Sequence, residues 1–231
     1  MLYINRRGLE NNGKDCYTYD GMTAAYDPKG TLLAEAVPYQ EEHSCFSFDI
    51  AAKKLTAEQE MKPFAGDMLL PALRYGLKEF LSAIHAGRVV IGISGGIDSA
   101  VNAALYRSVL PAENLLLVNT PTRFNSEATK NLARRLAENL EAPFVELPID
   151  SFINETVSQI DDLQIPSPSD MKTLHLTGFM KENIQARDRS TRILATLSSA
   201  FGGIFTCNAN KTELTVGYGT LYGCLLYTSD A

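Results

Sequence analysis

Short apolar runs alternate with amphipathic stretches between residues 88 and 160. The runs RVVIGIS, NLLLVNTP and PFVELPI are each followed by a stretch of helical periodicity, namely SAVNAALYRSVL, SEATKNLARRLAENL and SFINETVSQI. Strands that are apolar along their whole length are typical of a parallel sheet with helices covering both faces. The pattern therefore predicts an α/β fold, a doubly wound parallel sheet with helices on both faces.

The sequence on either side of this region has a different pattern. Before it, CYTYDGMTAAYD and TLLAEAV alternate like short strands joined at the turn DPKG, and an apolar helical stripe runs from residue 69 to 84. Residues 53–62 between them are polar and charged, which indicates a linker. After it, the pattern predicts a helix over residues 178–200 and one more strand at GGIFTCNAN.

Composition limits the classes of partner. The 231 residues allow one full domain and part of another. A formal charge of −6 weighs against a surface that tracks phosphates, so no nucleic-acid partner is expected. The four cysteines have no C-x-x-C spacing, so no zinc site is predicted. No apolar run approaches the roughly 18 residues of a membrane span, and no apolar leader is present, which favours a cytoplasmic chain without membrane contact.

The octapeptide GISGGIDS, residues 92–99, lies between a predicted strand and a predicted helix. Its glycines allow backbone N–H groups to approach an anion, and the positive end of the following helix points at the same place. Ser94 and Ser99 add hydroxyl donors. A carboxylate at an anion site is explained if Asp98 holds a Mg²⁺ that the phosphates share. The stretch therefore predicts a phosphate-binding loop.

Two other phosphate motifs are excluded by spacing. A Walker loop requires a lysine directly after its last glycine, and none follows Gly96. A dinucleotide fingerprint requires a second glycine where Ser94 stands. The remaining alternative is a glycine-rich turn without a ligand. It is the weaker interpretation, because six specified residues lie between a predicted strand and a predicted helix.

The segment SGGIDS resembles the pyrophosphate loop of the N-type ATP pyrophosphatases, which split ATP into AMP and pyrophosphate while adenylating a substrate. KENIQARDR at 181–189 and NANKTELTVGYGTLYG at 208–223 resemble the NAD synthetases within that group. The segment from residue 11 to 42, NNGKDCYTYDGMTAAYDPKGTLLAEAVPYQEE, resembles the last strands of the nitrilase-like glutaminase domain of the glutamine-dependent NAD synthetases.

The resemblance implies a domain organisation. Residues 1–50 would be the end of a nitrilase-like glutaminase domain, 51–64 a linker, and 65–223 a C-terminally truncated ATP-pyrophosphatase domain. The tail CLLYTSDA at 224–231 fits no expected continuation, so we expect it to be unrelated to the fold. The chain is accordingly expected to be a fragment of a longer enzyme.

The resemblance also assigns site residues. It implies that ATP contacts Gly92, Ile93, Ser94, Gly95, Gly96, Ile97, Asp98, Ser99 and Asn208. The position after the second strand of the sheet adds Asn119 and Arg123 as candidates for the adenine and ribose. Deamido-NAD would contact Arg187, Asn183 and Lys211, and Mg²⁺ would bind Asp98 and Glu213. No side chain is required as a nucleophile.

The implied reaction is the ATP-dependent amidation of deamido-NAD to NAD⁺ through an adenylate, with release of AMP and pyrophosphate. The implied partners are ATP, Mg²⁺, deamido-NAD and ammonia, which glutamine supplies in the intact enzyme, itself expected to be a homo-oligomer. Two alternatives stay open. One is a nucleotide-binding fragment without turnover, and the other is a different adenylating amidotransferase such as a GMP synthetase.

Overall fold

The computed structural model describes residues 1–11, 16–58, 64–168, 170–217 and 219–220, apart from the side chains of residues 211 and 214. The chain divides into two compact units, Met1–His85 and Ala86–Ala231. The tail at 224–231, expected to be unrelated to the fold, lies outside the described residues.

The first unit consists of antiparallel strands and one helix. Its elements are β1 (Leu2–Tyr3), β2 (Arg7–Asn11), β3 (Cys16–Asp20), β4 (Ala24–Tyr26), β5 (Leu32–Glu35), β6 (Phe46–Asp49), β7 (Lys54–Ala57) and α1 (Leu69–Ala83). One sheet has the order β1-β4-β5, and β2–β3 and β6–β7 are hairpins. α1, which the sequence assigned to the following domain, packs against β2 and β3.

The turn predicted for this unit is present, and part of the predicted linker is described. DPKG joins β4 to β5, where the Asp27 carboxylate accepts the backbone N–H groups of Lys29 at 2.7 Å and Thr31 at 2.8 Å. Residues 54–57, within the linker predicted for 51–64, form β7, which pairs with β6 and alternates between polar and apolar positions. Residues 59–63 of that linker lie outside the described residues. The domain boundaries themselves stay a prediction.

The second unit carries the alternating strands and helices. Its elements are β8 (Val89–Gly92), α2 (Ile97–Arg107), a 3₁₀ turn (Ala112–Asn114), β9 (Leu115–Asn119), α3 (Glu127–Leu140), β10 (Phe144–Glu146), α4 (Asp150–Ile160), β11 (Gln164–Pro166), β12 (Met171–Thr173), α5 (Gly178–Arg187), a π-helical segment (Asp188–Leu194), α6 (Ala195–Phe201), β13 (Ile204–Phe205) and α7 (Lys211–Thr215).

Four of these strands form one parallel sheet in the order β10-β9-β8-β13. Side chains alternate between its faces, so Val90, Leu116 and Val118 pack with Ile153 of α4 and Ile193 of the π-helical segment. Their fully buried neighbours point to the other face, where α2 and α3 pack; they are Val89, Ile91, Leu115 and Leu117. The predicted doubly wound parallel sheet, with helices on both faces, is confirmed.

The long helix predicted for residues 178–200 is continuous but not uniform. The Thr177 side chain caps its start by accepting the N–H of Met180, and Gly202 ends it in the left-handed conformation at φ 74°. The π-helical segment between α5 and α6 has an Ala195 N–H to Ser190 carbonyl bond, five residues back along the chain. This segment turns Ser190 toward the carboxyl edge of the sheet.

Candidate functional site

A cavity of about 360 Å³ lies at the carboxyl ends of β8 and β13. The chain runs outward from β8 through β9 to β10, then returns to place β13 on the opposite side of β8. The loops after β8 and β13 therefore leave a crevice where the strand order reverses, which is where open parallel sheets bind ligands. Residues 92–94, 98 and 99 line this cavity together with residues from the segment 205–213.

The loop after β8 is folded tightly against α3. Gly95 has φ 86°, and a Cβ at this position would overlap the backbone carbonyl of Thr129. Gly96 is the extended residue that precedes α2. Because the first turn of a helix has N–H groups without helical acceptors, the loop and the start of α2 form an anion cradle.

The two serines of the loop differ in role. Ser99 is buried, with 4% of its surface exposed, and its hydroxyl donates to the Gly96 carbonyl at 3.1 Å while accepting the Ser94 N–H at 3.3 Å. Ser94 is exposed, and its hydroxyl accepts the Gly96 N–H at 3.2 Å. Ser99 therefore holds the shape of the loop, and Ser94 presents its hydroxyl to the cavity.

Asn208 extends the pairing of β13 with β8 through its side chain. The last backbone bond between these strands runs from the Thr206 N–H to the Val90 carbonyl at 3.1 Å. In a regular parallel pair, the next bond would join the Asn208 backbone N–H to the Gly92 carbonyl. Here the side-chain Nδ2 of Asn208 donates to that carbonyl instead, at 2.7 Å. Oδ1 of Asn208 accepts Nδ2 of Asn102 at 2.6 Å, so both ends of the amide are engaged within the protein.

Asn210 joins the two predicted metal carboxylates. Its Nδ2 donates to Asp98 Oδ1 at 3.2 Å, and its backbone N–H donates to Glu213 Oε2 at 3.1 Å. Its Oδ1 accepts the Glu213 N–H at 3.0 Å, which completes a reciprocal cap at the start of α7. The sequence analysis missed Asn210, although N-x-x-E ahead of a helix is a readable capping signal.

Asp98 and Glu213 suit a divalent cation. Both line the cavity, and each has one oxygen that accepts from Asn210 and a second with no hydrogen bond in the described part of the chain. Mg²⁺ prefers such carboxylate oxygens and keeps several waters, so two partly exposed acids fit it.

A separate cluster of Asp161, Asp162 and His175 lies on the surface. The carboxylate of Asp161 in this cluster already accepts hydrogen bonds from the Leu176 N–H and from Lys181 Nζ.

The other predicted residues lie in several places. Arg123 and Arg187 are exposed and do not line the cavity, and Asn183 accepts the Thr220 hydroxyl at 2.6 Å. The Lys211 side chain is outside the described atoms. Buried Asn119 lines the cavity, and its Nδ2 donates to the Ile93 carbonyl at 2.6 Å. The proposed ATP and deamido-NAD contacts of these residues stay predictions.

The cavity also contains residues that the sequence analysis did not single out, namely Thr120, Asn125, Arg189 and Ser190. Arg189 is half-buried, and burial lowers the pKa of its guanidinium. Ser190 is buried, and its hydroxyl has no hydrogen-bond partner among the described residues. The resemblance assigned Arg187 to deamido-NAD, which stays a prediction, whereas the cavity wall contains Arg189.

A comparison with known families identifies the second unit. The sequence model of the NAD synthase family matches residues 69–226. The chain belongs to the NAD synthase family. A Synechocystis relative, named glutamine-dependent NAD(+) synthetase, is 29% identical over 225 residues that cover 96% of this chain. These residues are 38% of the relative's length, so the chain spans about two fifths of it.

Solved structures of NAD synthetases have the same fold. Glutamine-dependent NAD⁺ synthetase from Acinetobacter baumannii, in complex with ADP, has a TM-score of 0.80 at 26% identity, over 97% of this chain and 40% of its own. The NH3-dependent NAD synthetase from Campylobacter jejuni has a TM-score of 0.58 at 29% identity, over 68% of this chain and 62% of its own. Within the described residues, no helix combines the length and apolarity needed to cross a membrane.

Proposed function

We propose that this chain forms the ATP-binding part of an enzyme that amidates deamido-NAD to NAD⁺ and releases AMP and pyrophosphate. The cavity at the switch point of the sheet supports this most directly, because a glycine-rich anion loop and two carboxylates line it together. The names of the relatives point to NAD synthesis, and the ADP bound by the Acinetobacter baumannii synthetase supports an adenine nucleotide as one substrate.

The proposed reaction has two steps. An oxygen of the nicotinate carboxylate attacks the α-phosphorus of ATP, the bond from that phosphorus to the bridging oxygen breaks, and pyrophosphate leaves. Ammonia then attacks the carbonyl carbon of the adenylate, loses a proton and displaces AMP, which leaves the amide of NAD⁺. Neither step requires a nucleophilic side chain, so the protein contributes by binding, alignment and charge stabilisation.

The roles of the chain's own residues follow from the site. The backbone N–H groups of Gly95 and of the first turn of α2, with the Ser94 hydroxyl, would hold the phosphates of the departing pyrophosphate. Asp98 and Glu213 would hold Mg²⁺, which neutralises phosphate charge when it is bound. Asn210 keeps one oxygen of each carboxylate fixed and leaves the other for the cation.

The source of the ammonia and the oligomeric state of the whole protein are also proposals. We infer that glutamine supplies the ammonia, because the relatives that match nearly all of this chain are named glutamine-dependent. The antiparallel strands of the first unit fit this, since they match the same relatives over the same alignment. We infer further that the whole protein is a homo-oligomer, as the resemblance implies.

The test follows pyrophosphate release from Mg²⁺–ATP in the presence of deamido-NAD and ammonia. We expect Asp98→Asn and Glu213→Gln to abolish the release, and thermal unfolding should show that Asp98→Asn remains folded. Glu138→Gln, on the exposed face of α3, is the matched control and should release pyrophosphate at the unsubstituted rate. Normal release by Asp98→Asn would refute the role of this carboxylate.

Two further outcomes separate the alternatives. If the chain binds Mg²⁺–ATP but forms no AMP with deamido-NAD and ammonia, it is a nucleotide-binding segment that needs the rest of its protein for turnover. If xanthosine monophosphate replaces deamido-NAD as the adenylated substrate, the chain belongs to a different adenylating amidotransferase. The segments NIQAR and NKTELTVGYGTLYG favour deamido-NAD over that nucleotide.

A further inference from the structure

Arg189 is the second residue of the π-helical segment and lies in the wall of the nucleotide cavity. Of the described residues that line this cavity, only Arg189 carries a positive charge, whereas Asp98 and Glu213 are both acidic. A cavity for a polyphosphate needs cationic or N–H groups beyond the loop to offset the ligand's charge. Arg189 is therefore placed where its positive charge can offset part of the negative charge of the proposed ligand.

The guanidinium of Arg189 has no hydrogen-bond acceptor among the residues that the structure describes. The two carboxylates whose charges act on it, Asp188 and Asp150, both accept hydrogen bonds from other donors. Asp188 is held by Nε and Nη2 of Arg192, the latter at 2.8 Å, and Asp150 Oδ1 accepts the Arg123 N–H at 3.1 Å. None of the five N–H donors of this guanidinium is therefore engaged by a described residue.

Partial burial makes this arrangement costly without an anion. Arg189 is half-buried, and loss of solvation lowers its pKa, although an arginine remains charged in proteins. A desolvated cation with unengaged donors is stabilised by a planar anion that accepts two N–H groups, and phosphate oxygens provide this geometry. Neither Asp188 nor Asp150 accepts a hydrogen bond from Arg189 in the described structure. Both oxygens of Asp188 accept from Arg192, and Oδ1 of Asp150 accepts the Arg123 N–H.

We propose that Arg189 binds a phosphate group of a substrate in this cavity. The proposal rests on the proposed function in one respect, since it takes the ligand to be a nucleotide. Two sources share this chemistry, namely the triphosphate of ATP and the phosphates of the dinucleotide. Arg189 is then a binding residue that acts on the substrate from the α5–α6 helix, whereas the glycine loop acts from the strand edge.

The experiment measures the affinities of ATP, adenosine and deamido-NAD, each alone, by calorimetry. We expect Arg189→Gln to weaken a phosphate-bearing ligand at least about tenfold while adenosine affinity is unchanged, because one bidentate charged contact is lost. Weaker ATP binding identifies the triphosphate as the partner, and weaker deamido-NAD binding identifies the dinucleotide. Arg189→Lys should restore only part of the affinity, because it keeps the charge and loses the fork.

The control is Arg135→Gln, an exposed arginine on α3 outside the cavity, which should leave all three affinities unchanged. Thermal unfolding of each variant shows whether it is folded, and Arg189→Lys provides a second measurement if Arg189→Gln is not. Unchanged affinity of both phosphate ligands in folded Arg189→Gln overturns the inference. Adenylation of xanthosine monophosphate in place of deamido-NAD would instead contradict the proposed function and leave the inference on Arg189 intact.

Discussion

The side-chain amide of Asn210 donates to the carboxylate of Asp98 at 3.2 Å, between residues that lie 112 positions apart in the sequence. The same asparagine receives and returns hydrogen bonds with Glu213 at the start of α7. One residue thus orients both acids that we propose to bind Mg²⁺. Partners that orient metal ligands typically change metal affinity when they are altered.

Asn210→Ser separates the two roles of this residue. Serine can still cap α7, but it is too short to reach Asp98. We expect Mg²⁺ affinity, measured by titration in the presence of ATP, to fall about 10- to 100-fold with little change in the unfolding temperature. Asn131→Ser on the exposed face of α3 is the matched control. Unchanged Mg²⁺ affinity in Asn210→Ser would show that the Asp98 contact does not orient the metal site.

Gly95→Ala tests the packing of the phosphate loop. Its φ of 86° and the overlap of a Cβ with the Thr129 carbonyl both disfavour a side chain there. We expect the free energy of unfolding to fall by about 1–3 kcal/mol and ATP affinity to fall with it. Gly178→Ala is the control, since it begins α5 with open space around its Cβ. Equal stabilities in chemical denaturation would contradict the overlap.

Ser190→Ala and Ser198→Ala form a matched pair on one continuous helix. Both residues are buried, but Ser198 donates to the Ala195 carbonyl at 2.9 Å, whereas the Ser190 hydroxyl has no partner in the described structure. We expect Ser198→Ala to lower the free energy of unfolding by about 1 kcal/mol and Ser190→Ala to raise it by a similar amount. Denaturant titration decides, and a destabilised Ser190→Ala would mean that its hydroxyl is bonded.

Asp161 gives the second unit an acid-sensitive contact. Hydrogen bonds from the Leu176 N–H at 2.8 Å and Lys181 Nζ at 2.9 Å hold the pKa of this carboxyl below its usual value. Its stabilising effect is present above the pKa of the unfolded chain and is lost as the pH falls through the lower pKa of the folded state. We expect the unfolding temperature of Asp161→Asn to fall less than that of the unsubstituted chain when the pH is lowered from 6 to about 3. Ordinary carboxyl groups titrate within this range of pH.

Glu182→Gln, on the exposed side of α5, is the control for that measurement, and its melting temperature should follow pH as the unsubstituted chain does. If Asp161→Asn and the unsubstituted protein lose the same number of degrees on acidification, the Asp161 contacts do not contribute to acid sensitivity.

The strand and helix order was predictable because its signals are local. The apolar runs gave β8, β9 and β10, and the helical periodicity gave α2, α3 and α4. The turn at residues 92–99 was also readable, since it is one contiguous segment with glycines where the backbone must turn, and its binding of phosphate stays a prediction. The β7 strand was missed because it has only four residues, in which exposed Lys54 and Thr56 alternate with half-buried Leu55 and Ala57, so its hydrophobic signal is short.

Contacts within the site were less predictable. The Asn210–Asp98 bond depends on side-chain orientations at two distant segments, which periodicity does not report. The assignment of Arg187 came from the resemblance and stays a prediction, whereas the cavity wall contains Arg189. Periodicity alone does not show which side chains of residues 188–194 face the cavity, because a regular helix turns about 100° per residue and a π-helical segment turns less.

The side-chain amide of Asn208 donates to the Gly92 carbonyl in place of the backbone N–H of the same residue. This amide therefore also separates the two backbone segments that it joins. The main chain after β13 is held away from β8 by the length of one asparagine side chain. A residue without a side-chain donor at position 208 would leave the Gly92 carbonyl without this bond. Asn208 therefore fastens the loop after β13 to the end of β8, whether or not it also contacts a ligand.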